Sequence, residues 1–207
     1  MYRHTKQVVT AGVPAEQAKK AIIMLHGRGA SASGIISLKD HLELDGFAIY
    51  APQAAEHSWY PYSFMAPVEN NQPALDSALE VIGELVDDLK QKGIAQEDIY
   101  FLGFSQGACL TVEYTSRNAG RYGGIIAFTG GLIGEQLVKE NYEGNFNNTP
   151  VLITTGDPDP HVPVSRVNDS VEILKELNAD VTLKIYKGRQ HTISHEEIVL
   201  ANEILKN

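Results

Sequence analysis

The sequence lacks the features that would place it in an oxidising compartment or in a membrane. It contains a single cysteine, Cys109, among 207 residues. One cysteine excludes an internal disulfide and is typical of proteins in a reducing compartment. No apolar run reaches the roughly 18 residues that a membrane-spanning helix requires, and the first residues lead into no apolar core of a secretory signal. We therefore expect a cytoplasmic protein without an integral membrane segment.

Positive charge is also scarce in this chain. Lysine and arginine number 17 against 26 aspartate and glutamate residues, which gives a formal net charge of -9. This balance argues against nucleic acid or an anionic membrane as the main partner, because both attract cationic surfaces. We expect a small-molecule substrate that is neutral or is attracted by a local field. The length and the 43% hydrophobic content suffice for one large core, so we predict a single domain over residues 1–207.

Short apolar runs alternate with helical patterns along the chain. Strands are predicted over residues 6–10, 21–25, 47–50, 99–102, 125–128, 151–154 and 181–186. Helices are predicted after Ser33 up to about His41 or Leu42, from Pro73 to a stop at Gly93, after Gly107, and over residues 164–177 and 195–205. This order predicts an α/β fold with a mostly parallel sheet and helices on both faces. Residues 52–73 are predicted as a long ordered loop and residues 130–149 as a candidate for part of a lid.

The most informative motif is Gly-Phe-Ser-Gln-Gly at residues 103–107, which stands between a predicted strand and a predicted helix. This is the G-x-S-x-G pattern of the nucleophile elbow in α/β-hydrolases. The sharp turn places neighbouring segments close together, so the flanking positions must lack side chains. The pattern predicts Ser105 as a nucleophile at the carboxyl edge of the sheet, in an α/β-hydrolase fold with a small cap or none.

A serine nucleophile needs a base and an acid that orients the base. In this fold the order along the chain is serine, acid, histidine. Asp157 and Asp159 follow the strand at 151–154, and His191 follows the strand at 181–186. Either aspartate could instead be a turn residue. His195 is a weaker candidate for the base because the closing helix begins there, and H-E-x-x-H is absent, so no metal site is expected.

Two backbone N–H groups are needed to stabilise the oxyanion that forms during acyl transfer. One is expected from Gln106, the residue after the nucleophile. The glycine-containing loop that follows the strand at 21–25 stands where the second donor belongs. We assign that donor to the backbone amide of Arg28, whereas His26 is expected to be a structural hydrogen-bonding residue of this loop.

Four segments together resemble the phospholipase/carboxylesterase family, which includes acyl-protein thioesterases and small bacterial carboxylesterases. They are Leu-His-Gly-Arg-Gly at 25–29, the elbow with Ala108, Gly-Asp-Pro-Asp-Pro-His-Val-Pro at 156–163 and Gly-Arg-Gln-His at 188–191. The resemblance implies that Asp159 is the acid and His191 the base, and that no cofactor is used. Arg28 and Ala30 depart from the usual thioesterase residues, and this favours the bacterial carboxylesterase branch.

The substrate pocket is expected to use the aromatic loop after residue 56 and the segment after residue 129. Its candidate lining residues are Trp59, Tyr60, Phe64, Met65, Leu132 and His161. The same loop could instead pack on its own core. The sequence thus predicts a serine carboxylesterase for small to medium acyl esters, acting as a monomer or homodimer. A lysophospholipase, an acyl-thioesterase, a lactone hydrolase and a non-catalytic binding protein on this scaffold remain alternatives.

Overall fold

The computed structural model describes residues 2–206 and contains one seven-stranded sheet. The strands are β1 (Val8–Gly12), β2 (Lys20–Leu25), β3 (Phe47–Pro52), β4 (Ile99–Phe104), β5 (Gly124–Phe128), β6 (Pro150–Asp157) and β7 (Asp180–Lys187). Their order across the sheet is β1-β3-β2-β4-β5-β6-β7. Only β1 runs antiparallel to its neighbour, so the mostly parallel sheet of an α/β-hydrolase fold is confirmed.

Among the described residues, five α-helices cover the two faces of the sheet. They are α1 (Ala32–Ile36), α2 (Ala74–Gln91), α3 (Gln106–Arg117), α4 (Val164–Glu176) and α5 (His195–Leu205). Buried residues of α2, α3 and α4 form one core with one side of the sheet, and those of α1 and α5 form a second core on the other. Along β4, Phe101 joins the first core and Leu102 the second, as the period of two in a strand requires.

Most element boundaries agree with the sequence to within two or three residues. The helix predicted up to about Leu42 ends instead at Ile36 and is followed by the 3-10 helix Ser37–Asp40. The remaining differences lie where strands pair. The β1 strand spans Val8–Gly12 rather than 6–10, because it pairs with β3 as far as the register Val8 to Pro52. The β6 strand continues to Asp157, three residues beyond the predicted end, because all its eight residues pair with β7. This extension places Asp157 inside the sheet and leaves Asp159 as the first aspartate beyond it.

The long segments between elements are ordered by short helical turns and side-chain anchors. One-turn 3-10 helices lie at Ser37–Asp40, Ala55–His57, Val68–Asn71, Gln96–Asp98 and Lys139–Asn141. The segment over 130–149 is fixed by two buried charged residues. Glu113 accepts hydrogen bonds from the Ile133 N–H and the Tyr142 hydroxyl, and Arg166 donates to the carbonyl oxygens of Leu132 and Gly134. The segment is thus packed against α3 and α4, which corrects the expectation that it forms part of a lid.

Candidate active site

Ser105 occupies a strained backbone conformation between β4 and α3. Its φ of 54° and ψ of -118° lie outside the regions that non-glycine residues favour. The turn is so tight that the flanking glycines have no room for a side chain. A Cβ on Gly103 would lie 2.3 Å from the carbonyl oxygen of Gly107, and one on Gly107 would lie 2.1 Å from that of Leu25. The serine hydroxyl therefore stands at the carboxyl edge of the sheet, as the elbow pattern predicts.

Ser105, His191 and Asp159 form one continuous hydrogen-bonded line. His191 Nε2 lies 2.8 Å from Ser105 Oγ, and His191 Nδ1 lies 2.8 Å from Asp159 Oδ2. A carboxylate can only accept, so Nδ1 carries the ring proton and Nε2 is free to accept the serine proton. This is the tautomer that a general base for Ser105 requires.

Asp159 is held as a carboxylate by donors on both of its oxygens. Its Oδ1 accepts from the backbone N–H groups of His161 and Val162, each at 2.9 Å, while Oδ2 faces His191. Burial of the side chain alone would raise the pKa of this carboxyl group. The hydrogen bonds outweigh burial, and the pKa of Asp159 lies below its usual value. Asp159 therefore stays ionised and can stabilise a protonated His191.

The rival candidates lie away from this line. Asp157 ends β6, pairs in register with Lys187, and is exposed. His195 is the first residue of α5 and is also exposed. By contrast, the His191 ring packs against the ring of Phe104 at a centroid distance of 5.3 Å and that of His161 at 5.1 Å.

The two predicted oxyanion donors belong to the elbow itself and to the loop that follows β2. Gln106 is the first residue of α3, so its backbone N–H belongs to the set that a helix leaves without an intrahelical partner. The Arg28 loop turns tightly, because the Gly29 N–H donates to the His57 carbonyl and the Ala30 N–H to the Gly27 carbonyl. The Gly27 Cα also lies close to the elbow, since a Cβ built there would be 3.5 Å from Ser105 Cβ.

His26 is fully buried and supports the Arg28 loop from beneath. Its Nε2 accepts from the Ala54 N–H at 3.1 Å, so Nδ1 carries the proton and donates to the Gly27 carbonyl at 2.8 Å. Burial lowers the pKa of His26 below its ordinary value. The ring is therefore neutral and structural, in agreement with its expected place in the loop.

The side chains of Gln106 and Arg28 also hold the aromatic loop above the elbow. Gln106 accepts from the Trp59 N–H at 2.9 Å and donates to the Tyr60 carbonyl at 2.8 Å. Arg28 donates to the carbonyls of Pro61 at 2.8 Å and Tyr62 at 2.6 Å. None of these four contacts could be predicted from the sequence, because each partner is a backbone atom more than thirty positions away.

A cavity of about 530 Å³ opens beside Ser105. Its walls consist of Arg28, Tyr60, Pro61, Tyr62, Ser63, Phe64, Ser105, Gln106, Cys109, Pro160, His161, Val162 and His191. Three predicted pocket residues, Tyr60, Phe64 and His161, are among them. The cavity combines aromatic rings with a few polar groups, which is the usual composition of a small-molecule site. Ser105 and His191 lie in its wall.

The other three predicted pocket residues, Trp59, Met65 and Leu132, are not part of the cavity walls, which corrects the expectation for them. Trp59 is fully buried. Its indole N–H donates to the His26 carbonyl at 2.8 Å, and the centroids of the Trp59 and His26 rings are 5.1 Å apart. Leu132 is fully buried in the core beside α4, and Met65 packs against the same core. Aromatic and apolar character alone does not tell a wall residue from a core residue.

Cys109 reaches the cavity from one helical turn beyond Ser105. Burial raises the pKa of its thiol to about 12, so it contributes a neutral surface rather than a nucleophile. The i, i+4 spacing from Ser105 could have identified this lining residue. Pro160 and Val162 could likewise have been inferred, because they are the sequence neighbours of His161.

The loop that carries His191 is fixed by a buried ion pair that sequence reasoning missed. Arg189 contacts Glu197 of α5 at 3.1 Å, and the two side chains are 8% and 0% exposed. Arg189 also donates to Thr129 at the end of β5 at 2.7 Å and to the Thr192 carbonyl. Glu197 accepts further hydrogen bonds from Thr154 and from the Ser194 N–H and hydroxyl. The Ser-x-x-Glu capping box at 194–197 was the available signal.

Within residues 2–206 no group of three or more histidine, cysteine or carboxylate side chains is arranged to hold a metal ion. The same part of the chain has no helix that is both long and apolar enough to cross a bilayer.

Comparisons with known proteins agree with this architecture. The phospholipase/carboxylesterase family pattern matches residues 5–207. Acyl-protein thioesterase 1 of Kluyveromyces lactis is 30% identical over 207 aligned residues, which cover 89% of this chain and 90% of that protein. A probable carboxylesterase of Oryza sativa is 26% identical, over 94% and 82% of the two chains. The crystal structure of a phospholipase/carboxylesterase from Dyadobacter fermentans is 64% identical, covers 99% of both chains and gives a TM-score of 0.98.

The fold and its sequence relatives define an ester hydrolase of the α/β-hydrolase type. The chain belongs to the phospholipase/carboxylesterase family.

Proposed function

We propose that the protein is a serine carboxylesterase for small to medium acyl esters, with Ser105, His191 and Asp159 as its catalytic triad. The observation that carries this proposal is the unbroken line from Ser105 Oγ through both ring nitrogens of His191 to Asp159, with two contacts of 2.8 Å. Its position on the wall of the cavity lets an ester reach the nucleophile.

Acylation follows from this geometry. Ser105 Oγ attacks the ester carbonyl carbon while its proton passes to His191 Nε2. The backbone N–H groups of Arg28 and Gln106 stabilise the negative charge on the carbonyl oxygen. The tetrahedral intermediate then expels the alcohol, which takes the proton from His191. The Asp159 carboxylate stabilises the imidazolium during this exchange without accepting its proton.

Deacylation uses the same groups in reverse order. A water molecule loses a proton to His191 as it attacks the acyl-enzyme, and the same two amides hold the oxyanion. Collapse of this second intermediate releases the carboxylic acid and returns the proton to Ser105 Oγ. Over the two steps the acyl group gains a hydroxyl from water and the alcohol gains a proton, and the enzyme is restored without any redox step.

The preference among acyl substrates is also part of the proposal. The K. lactis relative is named an acyl-protein thioesterase, so thioester hydrolysis is the second candidate. The bulky Arg28 beside the elbow and the moderate cavity of about 530 Å³ favour shorter oxygen esters. A cytoplasmic location and a monomeric or homodimeric state remain predictions.

Steady-state hydrolysis of p-nitrophenyl butyrate tests the triad. The Ser105→Ala variant should retain its fold and lose at least about 10³-fold in kcat, because no nucleophile remains. Asp159→Asn should lose about 10³- to 10⁴-fold, since the amide favours the wrong histidine tautomer.

Asp157→Asn is the matched control and should stay within about twofold of the parent enzyme. Parent-level turnover by Ser105→Ala would overturn the proposed mechanism, and equal losses at the two aspartates would reassign the acid. A paired series of oxygen esters and thioesters, each from C2 to C12 acyl chains, would then separate the two candidate activities.

A further inference from the structure

The cavity beside Ser105 has an unusual charge for this protein. The chain as a whole is acidic, with 26 carboxylates against 17 lysines and arginines. Nevertheless, no aspartate or glutamate is among the described residues that form the cavity walls, whereas Arg28 is. The buried Asp159 carboxylate lies behind His191 and is bound by that ring and by two backbone N–H groups, so the charge that faces the cavity is the positive charge of Arg28. A positive group on a cavity wall attracts anions to the site.

Arg28 is not neutralised by a neighbouring acid. Elsewhere on the surface, Lys6, Lys92 and Lys139 pair with carboxylates at 2.9, 3.1 and 2.6 Å. In the described part of the chain Arg28 forms no ion pair, and both of its hydrogen-bond acceptors are backbone carbonyl oxygens. Carbonyl oxygens orient a guanidinium group without cancelling its charge, so the full charge is available to a ligand.

The guanidinium group is also fixed in direction and retains free donors. Its Nη1 and Nη2 each donate to the loop, to Pro61 and Tyr62, and its carbon lies 6.0 Å from the centre of the Tyr60 ring. An arginine has five N–H groups, so about three remain for another partner. Rigid attachment lowers the entropy cost of binding an anion through these donors.

We propose that Arg28 selects esters that also carry a free carboxylate, such as half-esters of dicarboxylic acids or O-acyl hydroxybenzoates. This inference rests on the proposed esterase function. The substrate carboxylate would bind the open side of the Arg28 guanidinium, while its ester carbonyl lies between Ser105 and the Arg28 and Gln106 amides. One residue would thus contribute its backbone to catalysis and its side chain to substrate choice.

Two matched substrate pairs test this selectivity. Ethyl hydrogen glutarate is compared with ethyl pentanoate for a charge on the acyl side. For a charge on the alcohol side, 4-butyryloxybenzoate is compared with phenyl butyrate. Hydrolysis is followed in a pH-stat at low ionic strength, because salt screens exposed charges. The parent enzyme should show the higher kcat/KM for the anionic member of at least one pair.

The Arg28→Gln variant should reduce kcat/KM for that anionic ester by about 10- to 100-fold more than for its neutral partner. Arg28→Lys should lose less, because it keeps the charge but not the planar fork. The loss should appear mainly in KM, and glutarate should inhibit p-nitrophenyl butyrate hydrolysis competitively in the parent but weakly in Arg28→Gln.

Arg121→Gln is the control for general charge, since Arg121 is also exposed and also donates to a backbone carbonyl, that of Asn148. In this variant the ratio of kcat/KM for the anionic ester to that for its neutral partner should equal the ratio in the parent. If Arg28→Gln lowers kcat/KM by the same factor for neutral and anionic esters, Arg28 only holds the aromatic loop and the inference is wrong. If the parent hydrolyses none of the four esters nor p-nitrophenyl butyrate, the proposed esterase function itself fails.

Discussion

The two halves of the catalytic line are held in place by different forces. The elbow around Ser105 is fixed by steric exclusion, because a side chain at Gly103 or Gly107 would overlap backbone atoms at 2.3 and 2.1 Å. The loop that carries His191 is fixed by side chains, through the buried Arg189–Glu197 pair and its link to Thr129. A steric constraint leaves a local trace in the sequence, whereas a network of side chains joins positions far apart.

The difference extends to backbone strain. Ser105 has a φ of 54° and Thr129 a φ of 62°, and positive values are costly for both residues, most of all for β-branched threonine. At Ser105 the strain accompanies the exposed hydroxyl of the elbow. At Thr129 it accompanies the hydrogen bond from Arg189 at 2.7 Å. Each strained residue directly follows a central strand at the active-site edge, Ser105 after β4 and Thr129 after β5.

The elbow should tolerate substitutions less well than the loop that carries His191. Gly107→Ala places a methyl group 2.1 Å from the Leu25 carbonyl oxygen and 2.7 Å from that of His26. Since these are backbone atoms of β2 and its following loop, relief requires movement of the sheet edge. We expect a loss of at least about 3 kcal/mol in the free energy of unfolding, measured by urea denaturation, together with loss of esterase activity.

Gly83→Ala in the middle of α2 is the matched control for this substitution. A Cβ there would meet only the Tyr114 ring at 3.8 Å, an ordinary contact. That variant should be about 0.5–1 kcal/mol more stable than the parent, because alanine has the higher helix propensity. Parent-like stability of Gly107→Ala would contradict the steric account of the elbow.

Substitutions in the loop that carries His191 should reduce activity less severely than those in the elbow. Within residues 2–206, Arg189→Met removes the only guanidinium group that pairs with Glu197, but that carboxylate keeps the donors Thr154 and Ser194. We expect kcat for p-nitrophenyl butyrate to fall about 10- to 100-fold, because a small displacement of His191 weakens proton transfer, while KM changes little.

A double-mutant cycle with Glu197→Leu separates the effects on activity and stability. Each single variant should lower the melting temperature because it leaves part of a buried charge pair without its partner. The double variant should regain stability relative to the singles but not kcat. An unchanged kcat in Arg189→Met would show that the ion pair stabilises the fold without positioning the base.

The same contrast explains which features of the fold and of the site could be predicted from the sequence. Strand and helix order, the elbow and the convergence of Ser105, His191 and an aspartate at 157 or 159 follow from local patterns and from the rule that parallel strands end at one edge. The choice of Asp159 came from the family resemblance of residues 156–163. The pocket walls do not follow, because their positions depend on contacts such as Arg28 to Tyr62 and Gln106 to Tyr60. Trp59 was placed in the pocket by its aromatic character, although its indole N–H is bound to the His26 carbonyl in the core.

The central claim is that His191 activates Ser105, and fluorophosphonate labelling tests it most directly. The parent protein should be labelled at one site, and peptide mass spectrometry should locate that label on Ser105. His191→Gln should slow labelling by at least about 10²-fold, because the serine then has no base at 2.8 Å. Labelling of a different residue, or an equal rate in His191→Gln, would contradict the account.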